Sequence, residues 1–131
     1  MAITGRELVN QLRSQVDEID VHQLKEVMEN DPLAIVIDIR ERAEMAQGVV
    51  ENTALIPRGI LEMQIDSNEL IQSRFATLDE LVEQPLYLLC RTGTRSVFSA
   101  LTLKMMGFRE VYSIAGGVNE WVEAGYELKI E

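Results

Sequence analysis

Short apolar runs that alternate with helical segments are the feature that most limits the folds open to this chain. The run Ala34–Ile39 is rich in β-branched residues on both faces, which suits a strand buried in a parallel sheet. Leu86–Leu89, bounded by Pro85, is fully apolar and too short for a helix, and Val111–Ile114 and Leu55–Ile56 are further predicted strands. Strands that alternate with helices predict an α/β domain with a mainly parallel sheet, whose reactive loops lie at the carboxyl ends of its strands.

Capping residues and apolar spacing predict the helices between these strands. Leu8, Leu12 and Val16 recur at four-residue spacing in an N-terminal helix, and Asp20 is a suitable N-cap for the next one. The stretch Ser96–Met106 is apolar almost all round, which predicts a buried helix. The predicted helices lie at Thr4–Val16, Val21–Glu29, Glu41–Gln47, Ile60–Ile65, Asn68–Ser73, Leu78–Glu83, Ser96–Met106 and Val118–Glu123.

Charge and the scarcity of metal-binding residues exclude several classes of function. The 131 residues carry a formal net charge of −10, which argues against a nucleic-acid partner because phosphate backbones need clustered Lys and Arg. One cysteine, Cys90, excludes an internal disulfide framework, and one histidine, His22, excludes paired-histidine zinc sites. We therefore expect no metal and a surface position for His22. A free thiol, no export signal and no segment long enough for a bilayer predict a cytoplasmic protein without a membrane partner.

The loop after Leu86–Leu89 gathers the groups that a reactive cysteine needs. Cys90 opens the loop Cys90–Arg95, and a helix follows it. The helix N-terminus, two arginines and backbone N–H groups curled around Gly93 would stabilise a thiolate. Three hydroxyls would face the same site, one of them capping the helix, from Thr92, Thr94 and Ser96. We predict that Cys90 is a nucleophile in an anion-binding loop, with an inert core cysteine as the alternative.

The two arginines of the loop each have two interpretations. The side chain of Arg91 would either meet the substrate or point into solvent. Arg95 begins the helix, so it would either bind the substrate or pair with a carboxylate as a structural residue.

The spacing of cysteine and arginine narrows the chemistry. Cysteine phosphatases and the related arsenate reductases place five residues between the two, so that the loop encircles a tetrahedral phosphate and the arginine forks onto two oxygens. Here only four residues separate Cys90 from Arg95. The tighter ring should suit one extra sulfur atom on the cysteine better than a phosphate group. A phosphatase or arsenate reductase is the less favoured alternative.

Four segments in the right order resemble a rhodanese-type sulfurtransferase domain. They are the Cys90–Arg95 loop, Asp38-Ile39-Arg40-Glu41 followed by Glu44, Ile56-Pro57-Arg58-Gly59, and Gly116-Gly117-Val118-Asn119-Glu120-Trp121 followed by Gly125. The resemblance runs from about Ile19 to Tyr126 and implies a three-layer α/β domain, with a central, mainly parallel sheet flanked by helices. It divides the chain into an N-terminal helical extension over residues 1–18 and a single rhodanese-like domain over residues 19–131.

The chain departs from the family pattern at a few positions. Val49–Thr53 replaces the family's His-Ile-Pro-Gly-Ala stretch, with Asn52 available for the positive φ that a glycine would take. Arg42 and Glu127 stand where the family has proline, and Met45 where it has an aromatic residue. None of these changes removes the proposed nucleophile, but together they favour a specialised specificity.

The resemblance implies sulfur transfer through a persulfide on Cys90, with no further cofactor. The thiolate would attack the outer sulfur of thiosulfate or a similar small anionic donor, and a thiol, cyanide or protein cysteine would then accept that sulfur. N–H groups of Arg91–Arg95 would hold the terminal sulfur, while Arg91 and Arg95 orient the donor. Arg58 would either reach the pocket mouth or be a surface arginine. A non-catalytic module that binds a partner or senses persulfide is the alternative.

Several residues have supporting or packing interpretations. Asp38 and Arg40 are expected to form a structural ion pair beside the loop, with a pocket acid at Asp38 as the alternative. Ser96 is expected to support the site. Trp121 and three methionines are expected to pack in the core, the methionines being Met63, Met105 and Met106.

Overall fold

One five-stranded sheet, parallel throughout, organises the molecule. The computed structural model describes residues 1–130, and its strands are β1 (Asp17–Ile19), β2 (Ile35–Asp38), β3 (Ala54–Leu55), β4 (Leu86–Leu89) and β5 (Val111–Ile114). Their order across the sheet is β1-β5-β4-β2-β3, and Leu88 of β4 is in register with Ile37 on one side and Ser113 on the other. Because β4 is the central strand, the loop that follows it opens at the middle of the sheet's carboxyl edge. The predicted α/β fold with a mainly parallel sheet is confirmed.

Eight α-helices surround the sheet in the described part of the chain. Their bounds are α1 (Gly5–Leu12), α2 (Val21–Asn30), α3 (Arg42–Met45), α4 (Leu61–Gln64), α5 (Glu69–Arg74), α6 (Leu78–Val82), α7 (Arg95–Met105) and α8 (Gly117–Glu123). Short 3-10 helices lie at Arg13–Gln15 and Arg58–Ile60. Asp20 caps α2 as predicted, because its carboxylate accepts the backbone N–H of Gln23 at 2.9 Å. The longest of these helices, α7, has 11 residues, so no helix within residues 1–130 could span a bilayer.

The helices form two layers, one on each face of the sheet. Successive residues of a strand point to opposite faces, so Leu86 and Leu88 join the larger core while Tyr87 and Leu89 join the smaller one. The larger core lies under α1 and α4–α7, and the smaller core lies under α2 and α8. Trp121 is buried in the smaller core, as predicted. The three-layer arrangement implied by the family resemblance is therefore present.

The N-terminal segment differs from its prediction in two ways. The α-helix ends at Leu12, and the face it buries carries Val9, whereas Leu8 is exposed. The strand β1 was not predicted; it pairs with β5 through Asp17 and the two residues after it. A three-residue edge strand with two exposed acids has no alternation long enough to be recognised. This strand runs across the boundary between residues 18 and 19, and the division into extension and domain stays a prediction.

The methionines are not core residues, contrary to the prediction. Met63 and Met105 are 82% and 87% exposed, and Met106 is also exposed. Apolar composition alone suggested a helix α7 buried all round, but only the side that carries Val97, Ala100 and Leu103 packs in the core, and Met105 is exposed. His22 is exposed as predicted, with Nδ1 2.7 Å from the hydroxyl of Tyr126. Asn52 takes the positive φ, 64°, that the sequence predicts for it.

Candidate active site

Cys90 continues the alternation of β4 and so faces helix α7. Leu86, Leu88 and Cys90 lie two residues apart and share the larger core, into which α7 contributes Val97 and Ala100. The residue is fully buried, at 0% exposure. Burial agrees with the alternative interpretation of Cys90 as a core residue, but it does not show that the thiol is inert. The groups around the sulfur therefore decide what it can do.

Polar groups contact the sulfur of Cys90 within this apolar core. The backbone N–H of Gly93 donates to Sγ at 3.1 Å, and the hydroxyl of Ser96 lies 3.4 Å from it. That hydroxyl is in turn 2.6 Å from the hydroxyl of Ser113 on β5. A thiol that only fills space in a core needs none of these partners. Among residues 1–130, Gly93 is the one loop residue whose amide donates to Sγ. The sequence predicts several loop amides around the sulfur anion, so fewer amides reach Sγ than expected.

Glycines let the Cys90 loop and the start of α8 approach each other. Gly93 has φ +89°, and a Cβ there would lie 2.9 Å from both Gly116 N and Ile114 O. Gly117 also has positive φ, and its Cβ would collide with the carbonyl oxygen of Cys90. The close approach lets the amide of Val118 donate to that carbonyl at 2.9 Å. The Gly-Gly pair of the closing sequence segment therefore holds the peptide that carries the cysteine.

Arg95 is engaged by a carboxylate from another element. Its Nη1 and Nη2 donate to Oε1 and Oε2 of Glu44 at 2.7 and 2.8 Å. Hydrogen bonds from Arg95 are the largest cause that lowers the pKa of Glu44 to about 2, and the same contact raises the pKa of Arg95. Of the two interpretations of Arg95, substrate binding and pairing with a carboxylate, the structure supports pairing.

A second ion pair lies behind the first. Nη2 of Arg40 donates to Oδ2 of Asp38 at 2.8 Å, and both residues are buried. Arg40 also donates from Nη1 to the backbone carbonyl of Glu44 at 3.2 Å and from Nη2 to that of Gly48 at 2.9 Å. The predicted structural ion pair of Asp38 and Arg40 is present, and it fixes the segment that presents Glu44.

Two clefts flank the loop, and each contains one of its arginines. Arg91, exposed and in none of the ion pairs formed within residues 1–130, lines a cleft of about 560 Å³ together with Glu44 and Glu123. Arg95 lines the second cleft with Arg58. The guanidinium of Arg58 lies 5.0 Å from the centroid of the Phe98 ring, a cation–π contact that holds it at the cleft wall. The first cleft is large enough for a small sulfur compound beside Arg91.

The hydroxyl residues of the loop are placed differently from one another. Thr94 is the N-cap residue of α7, but no side-chain hydroxyl caps the helix, so the predicted capping hydroxyl is wrong. Thr92 is exposed, with its Oγ1 3.4 Å from that of Thr94, and does not contact the sulfur. Ser96 does contact the sulfur, at 3.4 Å, and its supporting role stays a prediction. In the described chain no three His, Cys, Asp or Glu side chains are grouped to hold a metal ion.

Sequence reasoning gave no role to two residues of the site. Glu44 stands in the segment that resembles the family, but nothing in the sequence pairs it with Arg95, 51 positions away. Ser113 is a serine in the otherwise apolar and aromatic strand β5, and its fully buried hydroxyl needs a hydrogen-bond partner. That out-of-pattern serine is the signal that could have indicated a polar network under the loop.

Comparison with known proteins agrees with this geometry. The sequence model of the family of rhodanese-like domains matches residues 20–124 of this chain. A sulfurtransferase of Allochromatium vinosum is 26% identical over 113 residues, which cover 86% of this chain and 94% of the relative. The Bacillus subtilis protein YrkF is 28% identical over 117 residues, 89% of this chain, and the match spans 57% of the length of YrkF.

A solved structure gives the same result for the fold. A protein of unknown function from Rhodopseudomonas palustris, described as a possible tyrosine phosphatase, superposes with a TM-score of 0.81 at 21% identity, covering 98% of this chain and 96% of that one. At this identity the likeness establishes the fold and no activity. The sulfurtransferase relatives support a role in sulfur transfer. Because the family model matches residues 20–124, most of the chain, the protein belongs to the rhodanese-like domain family.

Proposed function

We propose that this protein is a sulfurtransferase in which Cys90 carries a sulfane sulfur as a persulfide, from thiosulfate or a similar small anionic donor to a thiol, cyanide or protein-cysteine acceptor. The observation that carries the proposal is the polar contact of a buried thiol with the amide of Gly93 and the hydroxyl of Ser96. Donors aimed at a sulfur stabilise its anion, and a persulfide is an anion one sulfur longer. The proposed setting is cytoplasmic, with no cofactor beyond the persulfide itself.

The reaction needs two displacements at sulfur. In the first, the Cys90 thiolate attacks the outer sulfur of the donor; a bond forms between the two sulfurs, and the bond inside the donor breaks with its electron pair leaving on sulfite. In the second, the thiolate or cyanide acceptor attacks the outer sulfur of the persulfide, and the electron pair returns to Cys90. Both steps resemble thiol–disulfide exchange, and the better the leaving anion the faster the transfer. No general base is required, in keeping with the position of His22, which is exposed on α2 and so lies on the face of the sheet opposite to that of Cys90.

The burial of Cys90 means that the loop must open before a donor can react. Since Sγ has no exposed surface, the donor reaches it only when residues of the loop move aside. Arg91 is exposed, lies next to Cys90 in the chain and lines the larger cleft, so it is the cation best placed to attract the donor first.

The phosphatase alternative is disfavoured by the contacts of Arg95. A phosphate-binding loop needs a free guanidinium fork at its end, and here both nitrogens of that fork are bonded to Glu44. The loop is also one residue shorter than in cysteine phosphatases.

Steady-state transfer from thiosulfate to cyanide tests the proposal. We expect double-displacement kinetics, no transfer by Cys90→Ser, and a KM for thiosulfate raised about tenfold in Arg91→Ala, the size expected for one charge-assisted contact. Arg109→Ala is the matched control, because Arg109 is an exposed arginine at the opposite edge of the sheet, paired with Glu83 at 3.2 Å. A Cys90→Ser protein that still transfers sulfur would refute the proposal.

A further inference from the structure

The positive charge available at the site is smaller than the loop sequence suggests. The loop contains two arginines and no acid, but the fold brings a carboxylate onto one of them. Arg95 and Glu44 are joined by two short hydrogen bonds, with side chains 30% and 25% exposed. A bidentate contact of this kind takes the edge formed by Nη1 and Nη2, one of the edges of the guanidinium on which two oxygen atoms of a donor could bind. One arginine of the pair, Arg91, is left for an anionic ligand.

Glu44 is held in place by more than Arg95. Its Oε1 also accepts the backbone N–H of Glu41 at 3.0 Å, and its backbone carbonyl accepts from Arg40. The carboxylate remains ionised at any ordinary assay pH, because its pKa is lowered to about 2. Glu44 is therefore a fixed negative charge between the two clefts, lining the cleft of Arg91 while binding the arginine of the other.

We propose that Glu44 determines donor charge: by occupying the guanidinium of Arg95, it makes the site select singly charged sulfane-sulfur donors, such as organic thiosulfonates, over dianionic thiosulfate. This inference rests on the proposed function, since it names the donor class for the same site. With a thiosulfonate the step balances: the Cys90 thiolate bonds to the terminal sulfur, the sulfur–sulfur bond of the donor breaks, and its electron pair leaves on a sulfinate. Within the cleft of Arg91, a second negative charge on the donor would face Glu44, and the other arginine that lines this cleft, Arg40, is already paired with Asp38.

The test compares two donors in three proteins. The ratio of kcat/KM for a thiosulfonate to kcat/KM for thiosulfate is measured in the wild type, Glu44→Gln and Glu123→Gln. In Glu44→Gln the new amide side chain keeps an oxygen for the Glu41 N–H but has no charge for Arg95, so the ratio should fall about tenfold, mainly through a lower KM for thiosulfate. Glu123→Gln removes the same charge from the same cleft without releasing Arg95, and the ratio should change less than twofold.

The outcomes separate the inference from the function on which it rests. If both variants change the ratio equally, general charge is responsible, and the inference is overturned. If Glu44→Gln slows both donors by the same factor, Glu44 is only structural, which also overturns it while the transfer activity stands. Thermal unfolding of Glu44→Gln shows whether that protein is folded in the assay. If the wild type transfers sulfur from neither donor, it is the proposed function that fails.

Discussion

The thiol of Cys90 accepts a hydrogen bond from one backbone amide, and a glycine makes that amide available. Gly93 turns the chain with φ +89°, a region in which side chains with a Cβ are strained, and its N–H then points at Sγ from 3.1 Å. The other side of the same residue lies against the backbone at Gly116. One glycine therefore serves both the hydrogen bond to sulfur and the packing of the loop.

We expect Gly93→Ala to destabilise the protein by about 3 kcal/mol, of which about 1 comes from the positive φ and the rest from the clash with the backbone of β5 and Gly116. Gly125→Ala is the control: it has nearly the same φ, +86°, but no atom within 4 Å of its added Cβ, so about 1 kcal/mol is expected. Urea unfolding of both variants measures the difference. Equal losses would mean that the close approach to Gly116 has no energetic weight.

The candidate nucleophile could be chosen from single residues, but the groups that surround it could not be predicted. Cys90, Gly93 and Ser96 stand out because a strand end, a glycine and hydroxyls follow one another in sequence. The sulfur is buried by tertiary packing, and the hydroxyl of Ser113 is supplied by the neighbouring strand β5. Local sequence around Cys90 identifies neither of them. The number of amides that reach Sγ likewise depends on how the loop folds back on itself.

At the scale of elements, the Glu44–Arg95 ion pair ties the short helix α3 to the start of α7. Helix α3 has four residues and little stability of its own, so contacts with neighbours must hold it. Arg40, paired with Asp38 before the helix, also binds the backbone carbonyls of Glu44 within α3 and of Gly48 after it. The loop of Cys90 thus lies between elements that are joined by charge as well as by the core.

The stability contributed by this ion pair should depend on pH in a defined direction. Because the folded-state pKa of Glu44 is lowered to about 2 from an ordinary value of 4.5, the contribution is complete above about pH 4.5 and is lost as the pH falls toward 2. We expect Glu44→Gln to be less stable than the wild type by about 1 kcal/mol at neutral pH, with the difference vanishing near pH 2. Urea unfolding across this range measures it.

Glu62→Gln is the control for the pH series, because Glu62 lines the neighbouring cleft and forms none of the ion pairs within residues 1–130. Its difference from the wild type should stay small throughout. A stability deficit of Glu44→Gln that does not change with pH would contradict the assigned role of the carboxylate.

Most elements could be predicted because each one carries its own local pattern. The strand β4 and the cap of α2 were predicted at their observed positions, since apolar runs and capping residues act over a few neighbours. The edge strand β1 and the buried face of α1 depend on tertiary contacts, and both escaped prediction. The exposed Met105 shows the same limit, because composition cannot tell which side of an apolar helix faces solvent.

On the scale of the whole molecule, the parallel sheet is what assembles the site. All five strands end at one edge, so the segments after β2, β4 and β5 meet there. They bring Asp38 and Glu44, the Cys90–Arg95 loop, and the glycines that begin α8. The sequence predicts a mainly parallel sheet with reactive loops at the carboxyl ends of its strands, but not which charged side chains pair with one another there.

The central claim is that Cys90 carries the transferred sulfur, and the mass of the intact protein after incubation with a sulfane-sulfur donor tests it most directly. Thiosulfate and a thiosulfonate are used in parallel, without reductant, and fragmentation then locates the modification. The account predicts that the wild type gains the mass of one sulfur atom on Cys90, that cyanide removes it, and that Cys90→Ser gains nothing. A wild type that stays unmodified with both donors, or a Cys90→Ser protein that gains the same mass, would contradict it.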